Sequence, residues 1–191
     1  MKKIIALAIC LAMLLACAAA AAEAETKSMG VLKVNGAFDI TYSPLPDDYT
    51  LSIYQQNDMT IIANIQSEQK TMPMMGLVIA YNDMWAGVER LNDVSEEDMQ
   101  VIRGYFSEEY QDPVFDIRET SFGTKLLTVM SPSSLDAYVY TIYRSHEIEI
   151  HLIPGEEQEA LTDADIERVV AFLSDMQFVP VEAQPAGEAA E

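Results

Sequence analysis

Cysteine is confined to the first seventeen positions of this 191-residue chain, at Cys10 and Cys17. Everything downstream therefore lacks a disulfide framework, a thiolate nucleophile and any Cys-ligated zinc or iron–sulfur centre. Basic residues are scarce as well. Only 11 Lys and Arg stand against 31 Asp and Glu, a formal charge of −20. Phosphate backbones and anionic lipid repel such a chain, which excludes nucleic-acid binding. The acidity serves as a solubilising surface, or it attracts cations or a basic partner. Signature motifs of common chemistries are absent too. There is no Asp-x-Asp-x-Asp-Gly calcium loop, no Gly-rich phosphate loop and no Gly-x-Ser-x-Gly elbow.

Long apolar runs are missing everywhere except at the start. Lys2 and Lys3 precede the apolar stretch from Ile4 to Ala16, and Ala22-Glu23-Ala24 supplies an A-x-A cleavage pattern. This reads as a secretory signal peptide over residues 1–24, its apolar core too short to span a bilayer. Alternatively, Leu14-Leu15-Ala16-Cys17 reads as a lipobox, with Cys17 lipidated and becoming the new N-terminus. The leader carries two lysines and one glutamate, so its removal near Ala24 would take the charge from −20 to −21. The chain is expected to be exported, either periplasmic or extracellular, or else anchored to a membrane by lipid alone. A mature domain this long buries an adequate core without disulfide staples.

A polar linker at 25–28 leads into strand-like patterns. Phe38, Ile40 and Tyr42 alternate up to Pro44. Thr50–Tyr54 and Thr60–Ile65 read as strands joined by a turn at Gln56-Asn57-Asp58, and Met75–Tyr81 as another. The period then changes. Ser95 is placed to cap a helix whose Met99, Ile102, Phe106 and Tyr110 share one face, with Glu96, Glu97 and Asp98 in its first turn. Strands return in "VFDIRETSFGTKLLTVMS" and "DAYVYTIYRSHEIEIHLIP". A last helix over "TDADIERVVAFLSDMQFV" starts at Thr162 and buries Ile166, Val169, Val170, Leu173 and Met176. The acidic tail at 183–191 has no large apolar residue and is expected to be disordered. The pattern predicts one α+β domain over 29–182, a mainly antiparallel β-sheet flanked by two principal helices.

This order of elements resembles the PsbP-like superfamily, in particular its small bacterial envelope members. The resemblance rests on "GAFDITYSPLPDDYT", the middle helix Ser95–Tyr110, the "DAYVYTIY" strand, the "EIEIHLIPGEE" strand and the helix running into "MQFV". It implies an antiparallel sheet flanked by helices, and a binding or accessory role rather than an enzymatic one. No catalytic residue is carried over by it. Where the family hairpin often has Gly or Asn, this chain has Arg144-Ser145-His146.

The only histidines, His146 and His151, bracket "HEIEIH". On a strand, Glu147, Glu149 and His151 share one face, while His146, Ile148, Ile150 and Leu152 share the other. The histidines then point apart and cannot chelate one ion together. A three-residue turn over Arg144 to His146 would pair Tyr143 with Glu147 and stack Tyr138, Tyr140 and Ile142 against Leu152, Ile150 and Ile148. Glu147, Glu149 and His151 remain candidate ligands for a divalent cation. Met72, Met74 and Met75 are candidate thioether ligands for Cu(I), although methionine also fills core gaps. Tyr138, Tyr140 and Tyr143, with Tyr105, Phe106 and Tyr110, are candidates for a partner-binding groove between helix and sheet. The acidic runs Asp47-Asp48, Glu96-Glu97-Asp98, Glu108-Glu109 and Glu156-Glu157 fall at turns and helix ends, where carboxylates are solvated or cap. No cofactor is called for. The expectation is a non-catalytic protein acting through contacts with an envelope partner, with metal or small-ligand binding as the alternative.

Overall fold

The computed structural model of the protein describes residues 30–34, 37–43, 45, 48–57, 59–110, 112–131, 133 and 135–181. The leader with Cys17, the linker at 25–28 and the tail at 183–191 lie outside the described residues. So do Pro44 and Asp47.

Two antiparallel sheets account for the strands. The larger has seven, in the order β3 (Tyr49–Gln56), β4 (Thr60–Ser67), β5 (Met74–Tyr81), β9 (His146–Ile153), β8 (Ala137–Tyr143), β7 (Lys125–Met130) and β6 (Val114–Glu119). The smaller joins β1 (Gly30–Val34), β2 (Phe38–Tyr42) and β10 (Gln177–Pro180). Among the described residues two α-helices complete the α+β fold, α1 (Glu96–Glu109) and α2 (Asp163–Ser174). Among the described residues no helix is long and apolar enough to cross a membrane.

Alternation decides which helix covers which face. On β4, Ile61, Ala63 and Ile65 point one way, joined by Met75, Leu77 and Ile79 of β5 and Ile148, Ile150 and Leu152 of β9. These residues pack with Ile166, Val169, Val170 and Leu173 of α2 and with Leu32, Phe38 and Ile40 of the small sheet. Each such buried aliphatic side chain contributes about 1.5–3 kcal/mol. The opposite face is aromatic. Leu127, Val129, Tyr138, Tyr140 and Ile142 pack under Met99, Ile102 and Phe106 of α1, together with Trp85 and Leu91. This second cluster takes nothing from β3, β4 or β5. Among the described residues, then, no helix packs into this cluster from over β3, β4 and β5.

Both helices start as the sequence predicts. The Ser95 hydroxyl accepts from the Asp98 backbone N–H at 3.1 Å. At α2 the Asp165 carboxylate, only 2% exposed, accepts from the Thr162 N–H and hydroxyl, the Gln158 amide and Arg168. A buried carboxylate with that many donors is solvated by the protein itself. The second helix ends earlier than its sequence pattern predicts. It stops at Ser174, and Gln177–Pro180 becomes β10, pairing with β2. Met176 is buried as expected, but from the connection rather than the helix.

The β8–β9 hairpin corrects the predicted register. Tyr143 pairs with His146, Tyr140 with Glu149 and Tyr138 with His151. The loop is thus two residues, Arg144 and Ser145, with φ of 47° and 63°. Two successive positive φ values make the primed turn whose twist matches its strands, and Gly or Asn usually fills it. Here the cost of placing Arg and Ser there is met by neighbours. The Arg144 and Ser145 N–H groups donate to the carbonyls of Glu89 and Val88. As a result Tyr138, Tyr140 and Ile142 share the face of Glu147, Glu149 and His151, and not that of Ile148, Ile150 and Leu152.

Candidate functional site

The hairpin turn also positions the loop that carries Trp85. The Gly87 N–H donates to the Ser145 hydroxyl at 3.1 Å, and φ of 84° at Gly87 suits glycine. Just before it, Asn82 caps a short 3-10 turn, Asp83–Trp85, by accepting from the Met84 N–H at 2.9 Å. Trp85 is thereby laid over β9. Its indole N–H donates to Glu147 Oε1 at 2.8 Å, and the Tyr140 hydroxyl donates to the same oxygen at 2.8 Å. Burial first, and then the Glu147 charge, push the Tyr140 phenol well above its ordinary value of 10.0. It remains a neutral donor throughout the physiological range.

Two residues along the same face, Glu149 also stands close enough to raise the Tyr140 phenol. Two further on, the His151 ring stacks on Tyr138, with centroids 4.3 Å apart and 3° between planes. His151 Nε2 lies 2.8 Å from Asp136 Oδ1. The Tyr110 hydroxyl in turn donates to that of Tyr138 at 2.6 Å. Glu147, Glu149 and His151 therefore share a face as expected, but their partners hold Glu147 and His151 at separate stations. Among the described residues no three His, Cys, Asp or Glu side chains come together in a way that would hold a metal ion. His146 does point the other way. It is buried, edge-on to Phe38 and Tyr81, and its Nδ1–H donates to the Arg144 carbonyl at 2.7 Å.

The tyrosines divide. Tyr138 and Tyr140 are buried beneath α1 against Phe106. Tyr143 lies on the other face, packed against Phe38 and Phe178. None of the three is exposed, because α1 or the small sheet covers each of them. The methionines divide as well, since neighbours on a strand point oppositely. Met72 and Met75 line one cavity of about 500 Å³ beside α2, with Tyr49, Phe172 and Arg168. Met74 faces the uncovered side, its sulfur 3.9 Å from the Asn64 amide.

A second cavity, about 270 Å³, lies between α1 and β9. Glu147 and Glu149 line it together with Trp85, Tyr105, Phe106 and Tyr140. Its rim is apolar and open to solvent: Met84 and Tyr105 are each 64% exposed, and Val101 51%. Beyond the rim, Ile62, Met74, Val78 and Ala80 form a half-buried strip on β4 and β5, ending at Tyr54. Sequence reasoning placed Trp85 on a helical turn with Val88 and Leu91 but did not single out Trp85, Met84 or Val101 as functional. One signal was available. Val101 and Tyr105 stand four residues apart, off the buried stripe of Met99, Ile102 and Phe106, and so put an apolar pair on the polar side of the helix. Neither a protein-family model nor a curated protein sequence matches the chain.

Proposed function

We propose that the protein is an exported, non-catalytic binding or accessory protein of the bacterial cell envelope, acting through contact with another envelope protein. The observation that carries this reading is the half-covered face of the large sheet. There Ile62, Met74, Val78 and Ala80 of β4 and β5 are half-buried, with Glu147 and Glu149 of β9 beside them, and Tyr54, Met84, Val101 and Tyr105 are exposed apolar residues. Exposed apolar residues grouped with polar ones are a usual form of interaction site. The leader and the resemblance of the element order to the PsbP-like superfamily support the cellular setting.

The test is site-specific photocrosslinking in the native host. A photoreactive residue at Tyr54 or Val101 is expected to trap one recurrent protein. The same residue at Glu159, far along the chain from this strip, is expected to trap none. Equal trapping at all three positions, or none at any, would sink the reading.

A second reading is small-ligand binding in the 500 Å³ cavity. Its support is an apolar lining of Tyr49, Met72, Met75 and Phe172 with the Arg168 guanidinium among them. Native mass spectrometry of host-derived protein should then show a bound mass that is lost on Ala171→Trp, a substitution that fills the space.

A further inference from the structure

A third cavity, about 360 Å³, lies where the C-terminal end of α2 and the small sheet meet β7 and β8. We propose that it binds a small apolar molecule carrying one carboxylate, a role that goes beyond the protein-contact reading and does not depend on it. Leu126, Leu173, Met176 and Phe178 form apolar walls, and among the described residues Arg90 is the only charged one in the lining. In a chain with 31 acidic residues against 11 basic ones, a lining with a cation and no carboxylate is the exception. Arg90 is exposed, and among the described residues no carboxylate forms an ion pair with it. The acids beside it in sequence are engaged otherwise. Glu89 meets Arg144 at 3.5 Å, and Asp93 accepts from the Arg90 backbone N–H at 3.1 Å.

The turn between β6 and β7 builds the other side of the cavity. Gly123, with φ of 74°, donates its N–H to the Thr120 carbonyl at 2.9 Å. Asn92 ties the turn on one side, donating to the Gly123 carbonyl and accepting from the Lys125 N–H, both at 2.9 Å. Ser121 ties it on the other, its hydroxyl donating to the Ser174 carbonyl at 3.3 Å. A turn held from both sides still keeps Phe122 61% exposed beside the cavity, where an apolar ligand would cover it. An apolar body with one anionic end matches these walls and the cation together, because a guanidinium binds carboxylate through paired N–H donors. A cationic ligand would meet the Arg90 charge instead. The net charge of −20 repels anions from afar, but it is screened beyond about 10 Å at roughly 0.1 M salt, so contact with Arg90 decides. The cavity of about 500 Å³ offers an anion less. Its Arg168 is already paired with Asp165, and Asp48 and Asp175 stand in its lining.

The test is calorimetric titration of protein purified from its host, with octanoate as probe and octanamide as the uncharged control. Octanoate is expected to bind saturably and about tenfold or more tightly than octanamide. Arg90→Gln should bring octanoate down to the octanamide level, with the urea midpoint near wild type because the altered side chain is exposed. Arg90→Lys keeps the charge without the paired donors, and should fall between wild type and Arg90→Gln. Phe122→Ala, also at an exposed position, should weaken both probes by a similar factor. Equal affinity for the two probes, no saturable binding, or indifference to Arg90→Gln would overturn the site. Octanoate binding that is lost on Ala171→Trp and kept in Arg90→Gln would place the carboxylate in the larger cavity, and would overturn it too. The crosslinking experiment is separate. Failure to trap a partner at Tyr54 or Val101 leaves this site standing, and failure of octanoate to bind leaves protein contact standing.

Discussion

The two faces of the seven-stranded sheet are built from the same strands by alternate residues, yet they differ in almost every property. Towards α2 the residues are aliphatic and buried from β4 through β8, closed over by a helix and a second sheet. Towards α1 they are aromatic and acidic, and among the described residues the helical cover stops partway across, with this face of β4 and β5 half-buried. One face is spent on stability. The other keeps carboxylates beside apolar surface that water still reaches, an arrangement that stability alone does not require. The difference teaches where to look for function: along the border where the cover ends, at Glu147 and Glu149.

Substitutions at adjacent positions of β9 test this division directly. Ile150→Ala, on the closed face, should cost about 3 kcal/mol by urea unfolding, because the space left behind cannot collapse under α2. Its neighbour Glu149→Gln, on the open face, should cost less than about 0.5 kcal/mol. Comparable losses would erase the distinction between the faces. Tyr140→Phe, at the border, should cost about 1–2 kcal/mol by removing one of two donors to Glu147. It should also flatten the alkaline response. The raised Tyr140 pKa contributes stability that is complete below about pH 10 and is lost as pH rises beyond it, when the unfolded chain ionises and the folded one does not. Wild type should therefore lose more of its urea midpoint than Tyr140→Phe between about pH 9 and about pH 11. Val78→Thr, on the uncovered strip, should change stability by less than about 1 kcal/mol yet reduce partner crosslinking. The smallest effect belongs to Lys70 and Glu156, which meet at 2.7 Å in full solvent. Lys70 holds the Glu156 carboxyl below its ordinary range, so any stabilisation is present at neutral pH and fades as pH falls through that range. Salt should abolish it, with no change at either sheet face.

Much of this division was legible in the residues. The alternation of "HEIEIH" set His146 and His151 on opposite faces, and the stripe of Met99, Ile102 and Phe106 identified the buried side of α1. The hairpin register was not legible, for a physical reason. Residues 137 to 142 of β8 are all buried, so that strand carries no polar phase against which β9 can be aligned. The remaining cue was the turn, and Arg144-Ser145 lacks the Gly or Asn that marks a two-residue loop. Its hydrogen bonds to Val88 and Glu89, which make the turn affordable, come from more than fifty residues away. The candidate site was hidden by the same distance. Trp85 and Glu147 meet across 62 positions, and β10 forms only because β2, over 130 residues earlier, offers it an edge.

The two outer strands of the large sheet defend themselves differently. β6 carries Asp116, Arg118 and Glu119, charges that discourage a foreign strand from docking. β3 has no charged residue along Tyr49–Gln56, and its main safeguard is the register shift between Ile53 and Gln55, which interrupts the regular row of backbone groups. Repulsion between copies at a formal charge of −20 therefore adds to the protection of this edge. That protection is a property of the medium as much as of the fold. It weakens in high salt and vanishes near the isoelectric point of about 4.2, where the uncharged edge of β3 is left with only its register shift as a safeguard.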